Sequence, residues 1–413
     1  MPFVRIPTKK MANAPGADGA PRTVRESGQI LVAVAFVISV ATGAALYVFL
    51  SPPARFIEEQ RLTAGALAAA RDALIGRAAG DNNRPGSLPC PDRITNIPGT
   101  NVPNDGIADL LVGNECPSYV GRLPWRTLDL PDLRDGSGER LWYALSRAFR
   151  DDDSAQPINS NTTGTLTVTG SIIASNVIAI VFASGAVVGS QVRDGANAND
   201  VANYLEGGNE VNGTTAFKAG AHGAVFNDRL LAIGSDALFP VVEARVAREA
   251  RTVLNAFYSD PANGYFPFAN AYGDATHQCT DNQYSGRIPR YFADWCKTVP
   301  ADPDWKGVTW PSWFFANSWH EVAFYAVAPK CAKPSSPACT ATGGLLTVAA
   351  QPAPNNNIRA LVIMPGRAYT GQARPCGAVT DCLEDPENTD GDDVFSKSAV
   401  TPSVNDRLLV VSP

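Results

Sequence analysis

Histidine is scarce in this chain of 413 residues, which contains only His222, His277 and His320. Three histidines are too few for a His-rich metal centre or a histidine relay, so we expect neither. Charged residues make up 18% of the chain, below the roughly 25% of an average globular protein. Lys and Arg total 34 against 40 Asp and Glu, so the net charge is −6. The chain therefore lacks the positive potential that binds the phosphate backbone of a nucleic acid. This composition excludes a nucleic-acid partner.

Common catalytic motifs are also absent. The sequence has no Gly-x-Ser-x-Gly elbow, Walker phosphate loop, dinucleotide-binding glycine fingerprint or Ser-x-x-Lys motif. The 35 glycines and 32 prolines, about 16% of the chain, are too few for collagen and too dispersed for a low-complexity protein. We therefore expect a folded protein that is not an enzyme.

The amino-terminal region has the pattern of a basic leader followed by an apolar span. Residues 1–28 contain five basic and two acidic residues, and residues 29–50 contain no charge. A helix of this length measures about 33 Å, which is enough for a bilayer core. The pattern predicts a transmembrane helix over Gln29–Leu50 in the bacterial inner membrane. By the positive-inside rule, residues 1–28 form a cytoplasmic leader and the rest is periplasmic or extracellular. A removed signal peptide is the alternative.

The eight cysteines occur as sequence neighbours and none is closer than six residues to another. That spacing disfavours a zinc site, while an even number outside the cytoplasm is typical of disulfides. Eight cysteines allow 105 pairings. The working hypothesis pairs nearest neighbours, namely Cys90 with Cys116, Cys279 with Cys296, Cys331 with Cys339, and Cys376 with Cys382.

The chain repeats itself once, with a period near 180 residues. Asn-Asp-Arg-Leu-Leu occurs at 227–231 and again at 405–409. Further matches keep the same order, including Leu-Thr-Val at 166–168 and 346–348. Since a typical domain has about 150 residues, this period indicates two copies of one domain. We place the copies at 51–235 and 236–413.

Each copy begins with a helical pattern and continues with short β-type runs. Apolar residues recur at helical spacing after Pro52-Pro53 and again after Ser235, a candidate N-cap. The strands are predicted at 141–145, 165–169, 177–182 and 230–233, and in the second copy at 322–327, 345–349, 360–364 and 408–411. Their composition favours antiparallel sheets. The predicted fold is α+β, with one transmembrane helix followed by two tandem heads.

The stretch from Arg25 to Ala33, with Gly28 before an apolar span, resembles the type IV pilin and pseudopilin class. The runs Leu88-Pro89-Cys90-Pro91-Asp92 and 121–128 strengthen this resemblance. It implies that the two heads are pilin-like, that a prepilin peptidase cuts after Gly28, and that the new terminal residue, Gln29, is methylated.

Two positions depart from that class. Gln29 stands where the class usually has Phe, and Ala33 stands where it usually has Glu. The missing carboxylate normally neutralises a neighbouring subunit's terminal amine, so the resemblance implies a place at a filament tip. Pro52-Pro53 should also interrupt the helix that usually continues into the head.

Two segments are candidate binding sites. Hard oxygen ligands in an acidic loop suit Ca²⁺, with a solvated turn as the alternative. The calcium candidates are Asp385, Glu387, Asn388, Asp390 and Asp392. Aromatic residues crowd residues 305–319, where Trp310, Trp313 and Trp319 form either an interaction surface or a loop packed on the core.

Two further motifs are given structural interpretations. His320-Glu321 begins like a zincin motif but lacks the second histidine four residues on, so we expect a loop histidine. The repeated Asn-Asp-Arg could be catalytic through Asp228 and Asp406, but its duplication favours a turn with an Arg–carboxylate pair.

The predicted function is structural. We expect a pseudopilin or minor-pilin-like subunit of a type IV filament or type II secretion apparatus. Its expected partners are the inner membrane, other pilin or pseudopilin subunits and prepilin peptidase, and it requires no cofactor other than the candidate Ca²⁺. A tethered adhesin or binding protein and an exported hydrolase are the alternatives.

Overall fold

A computed structural model describes residues 25–50, 52–95, 102–152, 156–291, 296, 305, 307–332, 339 and 343–413. The chain divides into two compact units, Met1–Glu58 and Glu59–Pro413. The predicted boundary between the two copies, at 235/236, therefore lies inside the second unit.

Two helices occupy the first part of the described chain. Helix α1 spans Arg25–Leu50 and helix α2 spans Pro52–Gly80. The predicted interruption at the proline pair is confirmed, since α2 begins at Pro52, where a fixed φ suits a first turn.

The predicted membrane span is wrong. Within the described ranges, none of the helices has both the length and the apolar character needed to cross a bilayer. The transmembrane helix over Gln29–Leu50, the cytoplasmic placement of residues 1–28 and the single-pass inner-membrane localisation are corrected accordingly.

The remaining elements follow in two series, one for each copy. The first series consists of β1 (Val120–Arg122), β2 (Trp142–Leu145), β3 (Leu166–Gly170), β4 (Ala174–Val177), β5 (Ala179–Ala183), β6 (Ala216–Ala219) and β7 (Arg229–Ile233). The second consists of α3 (Ser235–Ser259), β8 (Ser285–Arg287), α4 (Ser312–Ala316), α5 (Trp319–Val322), β9 (Phe324–Val327), β10 (Thr347–Ala349), β11 (Ala360–Met364), β12 (Val394–Ser396) and β13 (Arg407–Ser412). The α+β class is confirmed.

The two copies build the same antiparallel sheet. The first sheet has the order β1-β2-β5-β7 and the second has the order β8-β9-β11-β13. Even the register repeats, since Gly121 lies opposite Tyr143 in one sheet and Gly286 lies opposite Tyr325 in the other. The long-period repeat therefore corresponds to one topology used twice.

Glycine is required at the same place in both sheets. A Cβ on Gly121 would lie 2.7 Å from the carbonyl oxygen of Asp92, and one on Gly286 would lie 2.3 Å from that of Asn270. Both carbonyls belong to segments that bridge the edge strand, at Asp92–Arg122 and Asn270–Arg287. A side chain would push this bridging segment away from the sheet.

Some local predictions need correction. Strands β3 and β6 pair in parallel, as do β10 and β12, whereas the composition of the strands predicted antiparallel pairing throughout. The cap of α3 is Gly234 rather than Ser235, and no side-chain bond is made there. Strands β1, β4, β6, β8 and β12 were not predicted.

The two copies share a hydrophobic core. Helix α3 buries Leu238, Val242 and Val246 and packs on β11 and β13 of the second copy. The same core includes Phe149 of the first copy, whose ring centroid lies 6.1 Å from that of Phe239 on α3. The second unit is therefore held together across the repeat.

All four predicted disulfides are confirmed. The bonds are Cys90–Cys116, Cys279–Cys296, Cys331–Cys339 and Cys376–Cys382. They fit an oxidising compartment.

Candidate functional site

Helix α1 presents an apolar surface. Every residue of the stretch 31–43 is exposed, with Leu31 at 72% and Phe36 at 69%. The hydroxyls of Ser39 and Thr42 donate to the helix's own carbonyls, those of Ala35 at 2.8 Å and Ile38 at 2.7 Å. These donors are therefore satisfied within the helix, and the surface left to a partner is apolar.

The predicted processing residues belong to the same helix. Gly28 and Gln29 lie in the first turns of α1, which begins at Arg25. Cleavage after Gly28 would leave nearly all of α1 attached to the rest of the chain. Processing remains a prediction.

The tryptophan cluster is part of the core. Trp310 and Trp313 are 5% and 4% exposed, and Trp319 is fully buried. The ring centroids of Trp310 and Phe314 lie 4.3 Å apart in a stacked pair. An exposed interaction surface at Trp310, Trp313 and Trp319 is therefore wrong, and the alternative of a segment packed on the core is right.

The carboxylates of the predicted calcium loop are used within the loop. Asp385 accepts hydrogen bonds from the N–H of Glu387 at 3.1 Å and the hydroxyl of Ser398 at 2.6 Å. Asp390 accepts from the N–H of Asp392 at 3.3 Å, and Asp392 accepts from the N–H of Val394 at 2.7 Å.

The side-chain amide of Asn388 donates a hydrogen bond to Asp406 at 3.2 Å, and its oxygen accepts one from the N–H of Ser396 at 2.8 Å. The acidic side chains of the loop do not bring three ligand atoms within 4.8 Å of one another in the described part of the chain. The loop has the geometry of successive Asx turns.

A pair of buried carboxyl groups lies at the start of β7. Asp228 accepts from the N–H of Glu206 and from the amide of Asn209, both at 2.9 Å. Glu206 in turn accepts from the N–H groups of Asn227 and Asp228 at 3.0 and 3.2 Å. Burial, followed by the charge of Glu206, raises the pKa of Asp228 to about 8. The pair therefore holds a proton at neutral pH.

The second copy repeats this arrangement at the start of β13. Asp406 accepts from the N–H of Glu384 at 3.4 Å and from the amide of Asn388 at 3.2 Å. Glu384 accepts from the N–H of Asn405 at 2.9 Å. Burial raises the pKa of Glu384 to about 7 and also raises that of Asp406.

An arginine and a glutamine complete both networks. Gln191 donates to Glu206 at 2.5 Å, and Gln372 donates to Glu384 at 2.7 Å. Arg193 donates to the carbonyl of Gly185 at 2.7 Å, as Arg374 does to that of Gly366 at 3.4 Å. Each copy thus has a glutamine followed two residues later by an arginine, and the sequence analysis did not predict a role for these residues.

These networks connect loops to the final strand of each copy. Asp228 and Asp406 are 4% and 5% exposed; Asp228 accepts two hydrogen bonds from its own copy and Asp406 accepts three. The predicted Arg–carboxylate pair exists in the second copy, where Arg407 lies 3.2 Å from Glu243 of α3. The contacts of the repeated Asn-Asp-Arg are therefore those of a structural motif that holds loops against the final strand of each copy.

The described residues contain one cluster suited to a transition metal. One ligand atom each from His277, His320 and Glu321 lies within 4.8 Å of the other two. No sequence pattern indicates that His277 joins the His320-Glu321 pair, since the two segments lie far apart in the chain.

No protein-family model, curated protein or solved structure matches the chain. The described residues define an α+β protein with a duplicated, disulfide-bonded second unit. The first unit contains a helix with an exposed apolar surface.

Proposed function

We propose that this chain is a structural subunit of a pilin-like assembly, a minor pilin or pseudopilin of a type IV filament or type II secretion apparatus. The observation that carries the proposal is the uncharged, exposed surface of α1 over residues 31–43. Large exposed apolar patches on proteins mark sites of association. The partners that bind this surface of α1 are the corresponding helices of other pilin-like subunits.

The energy available from this surface is large. Seven large apolar side chains of the stretch are at least half exposed, namely Leu31, Val32, Val34, Phe36, Val37, Ile38 and Val40. Full burial of such a side chain contributes about 1.5–3 kcal/mol, so the set offers on the order of 10–20 kcal/mol before the costs of association.

The second unit suits the role of a rigid head. Four disulfides and two buried polar networks stabilise its loops. The residue at the position of the usual Glu, Ala33, is uncharged and exposed, which supports placement at a tip.

Amino-terminal mass spectrometry tests the processing step. We expect the full chain, produced together with a prepilin peptidase, to begin at an N-methylated Gln29. A Gly28→Val variant should keep its leader, whereas Gly43→Ala, on the same helix and with open space at the new Cβ, should be processed normally. An intact Met1 or Met11 in the wild-type chain would contradict processing.

A matched pair of substitutions tests the association surface. Phe36→Glu places a charge on α1, and Ile173→Glu places one at a position of the second unit that is 87% exposed. Chemical cross-linking in cells that make the pilin-like partners should show complexes for wild type and Ile173→Glu and a loss of complexes for Phe36→Glu. Equal cross-linking of all three would rule out α1 as the contact.

A further inference from the structure

Three metal-binding side chains from two distant segments converge in the second unit. The Nε2 atom of His320 lies 3.7 Å from Oε1 of Glu321, and the Nε2 atom of His277 lies 4.0 Å from the same oxygen. The two imidazole rings are 5.1 Å apart between centroids and nearly perpendicular. Ligand atoms around tetrahedral Zn²⁺ are about 3.3 Å apart, given bonds of about 2.0–2.1 Å, so small side-chain rotations complete this geometry.

The burial of His320 is the second observation that points to a ligand. His320 is 1% exposed, and neither of its ring nitrogens has a hydrogen-bond partner among the described residues. The Nδ1 atom of His277 is also buried and unpartnered there. Leaving a buried polar group without a partner costs about 1–3 kcal/mol, and a metal ion bound to these nitrogens would offset that cost.

The backbone holds His277 in place for this contact. Its φ is +55°, a left-handed conformation that is uncommon outside glycine. Its carbonyl accepts from the N–H groups of Arg290 and Tyr291 at 2.8 and 3.3 Å. Two residues later, Cys279 forms the disulfide to Cys296. His277 is thus part of a segment that is held by backbone hydrogen bonds and by a disulfide.

The second segment is equally well defined. His320 and Glu321 lie on α5, which begins at Trp319 and is preceded by Ser318 in a left-handed conformation with a φ of +53°. His320 packs against the ring of Phe315 at 5.2 Å between centroids. His277 and Glu321 are about one quarter exposed, which leaves a path for an ion from solvent.

Charged side chains of both signs surround the cluster. Burial lowers the pKa of His320 well below its ordinary value, and it also lowers the pKa of His277. Arg287 and Arg290 lower both pKa values further and weaken the attraction for a dication, while Glu321 and Asp274 act in the opposite direction on His277.

We propose that His277, His320 and Glu321 form a Zn²⁺ site with two imidazole ligands, one carboxylate ligand and an open fourth position. Imidazole and carboxylate ligands suit Zn²⁺, and three protein ligands plus water is a known coordination for this ion. The site joins the segment before β8 to helix α5 and is independent of association through α1.

Zinc titration of the full chain tests this proposal. The eight cysteines are all in disulfides, so thiolates do not compete for the metal. We expect one Zn²⁺ per chain by isothermal titration and by elemental analysis after dialysis. Co²⁺ should give the intense visible absorption of a four-coordinate site.

Three variants separate this site from surface binding. His277→Asn keeps a residue that tolerates the left-handed conformation, and Glu321→Gln keeps the side-chain shape. Both should weaken Zn²⁺ binding at least about 100-fold, since even indirect partners of a metal contribute 10–100-fold. His222→Asn, at the exposed third histidine, should bind as wild type does. Circular dichroism verifies that each variant is folded.

Three outcomes would overturn the proposal. They are the absence of stoichiometric Zn²⁺, wild-type affinity in folded His277→Asn and Glu321→Gln, and an equal loss in His222→Asn. None of these results bears on association through α1, so the two proposals are tested separately.

Discussion

Buried Glu243 gives a prediction whose magnitude can be worked out. This residue of α3 is fully buried, accepts a hydrogen bond from the hydroxyl of Ser160 in the first copy, and lies 3.2 Å from Arg407 in the second. Burial raises the pKa of Glu243 from 4.5 to about 7, against the opposing effects of Ser160 and Arg407. The folded protein therefore binds a proton that the unfolded chain has released at pH 6.

The sign of the pH dependence follows from this difference. Since the pKa is raised on folding, the stabilising contribution is complete below pH 4.5 and is lost as the pH rises through about 7. A pKa change from 4.5 to about 7, at about 1.4 kcal/mol per pKa unit, corresponds to about 3 kcal/mol.

The substitution Glu243→Gln removes this titration and keeps an acceptor for Ser160. We expect the free energy of unfolding of the variant, relative to wild type, to rise by about 3 kcal/mol between pH 4.5 and pH 8.5. Urea unfolding followed by tryptophan fluorescence measures it at each pH. Glu249→Gln, a partly exposed position on the same helix, should follow the wild-type curve. A constant difference between Glu243→Gln and wild type over this range would refute the assignment of a neutral Glu243.

Two further predictions concern the repeated features of the second unit. Because the pKa of Asp228 is raised to about 8, Asp228→Asn mimics the protonated carboxyl group. We expect it to change the free energy of unfolding by less than about 1 kcal/mol at pH 5. The free energy of unfolding of Asp228→Asn, relative to that of wild type, should rise from pH 5 to pH 9. If urea unfolding shows this difference falling over that range, the Asp228–Glu206 pair does not hold a proton. Gly286→Ala, whose Cβ would lie 2.3 Å from the carbonyl oxygen of Asn270, should cost about 1–3 kcal/mol in the same assay. The control Gly76→Ala, with open space on helix α2, should stabilise the protein by up to about 1 kcal/mol, and equal effects at the two glycines would disprove the close approach.

Features that depend on chain neighbours were predicted well. The helix beginning at Ser235 and the strands at β2, β5, β9 and β11 follow from local apolar spacing. The four disulfides join cysteines that are neighbours in the sequence, separated by 6 to 26 residues. The repeat was visible because residues of the two polar networks, such as Asp228 and Asp406, are identical in both copies.

The sequence alone determined the α+β class, the internal repeat and the strands that carry a clear apolar pattern, and it supplied nearest-neighbour pairing of the cysteines as a hypothesis. Only the tertiary structure decided that β6 pairs in parallel with β3, and β12 with β10. It also decided that the tryptophans of residues 310–319 are buried and that both copies share a core. It also brought His277 to His320 and Glu321. The physical reason is that periodicity and spacing report on residues close in the chain. Contacts between distant segments depend instead on how the loops close, which leaves no local pattern.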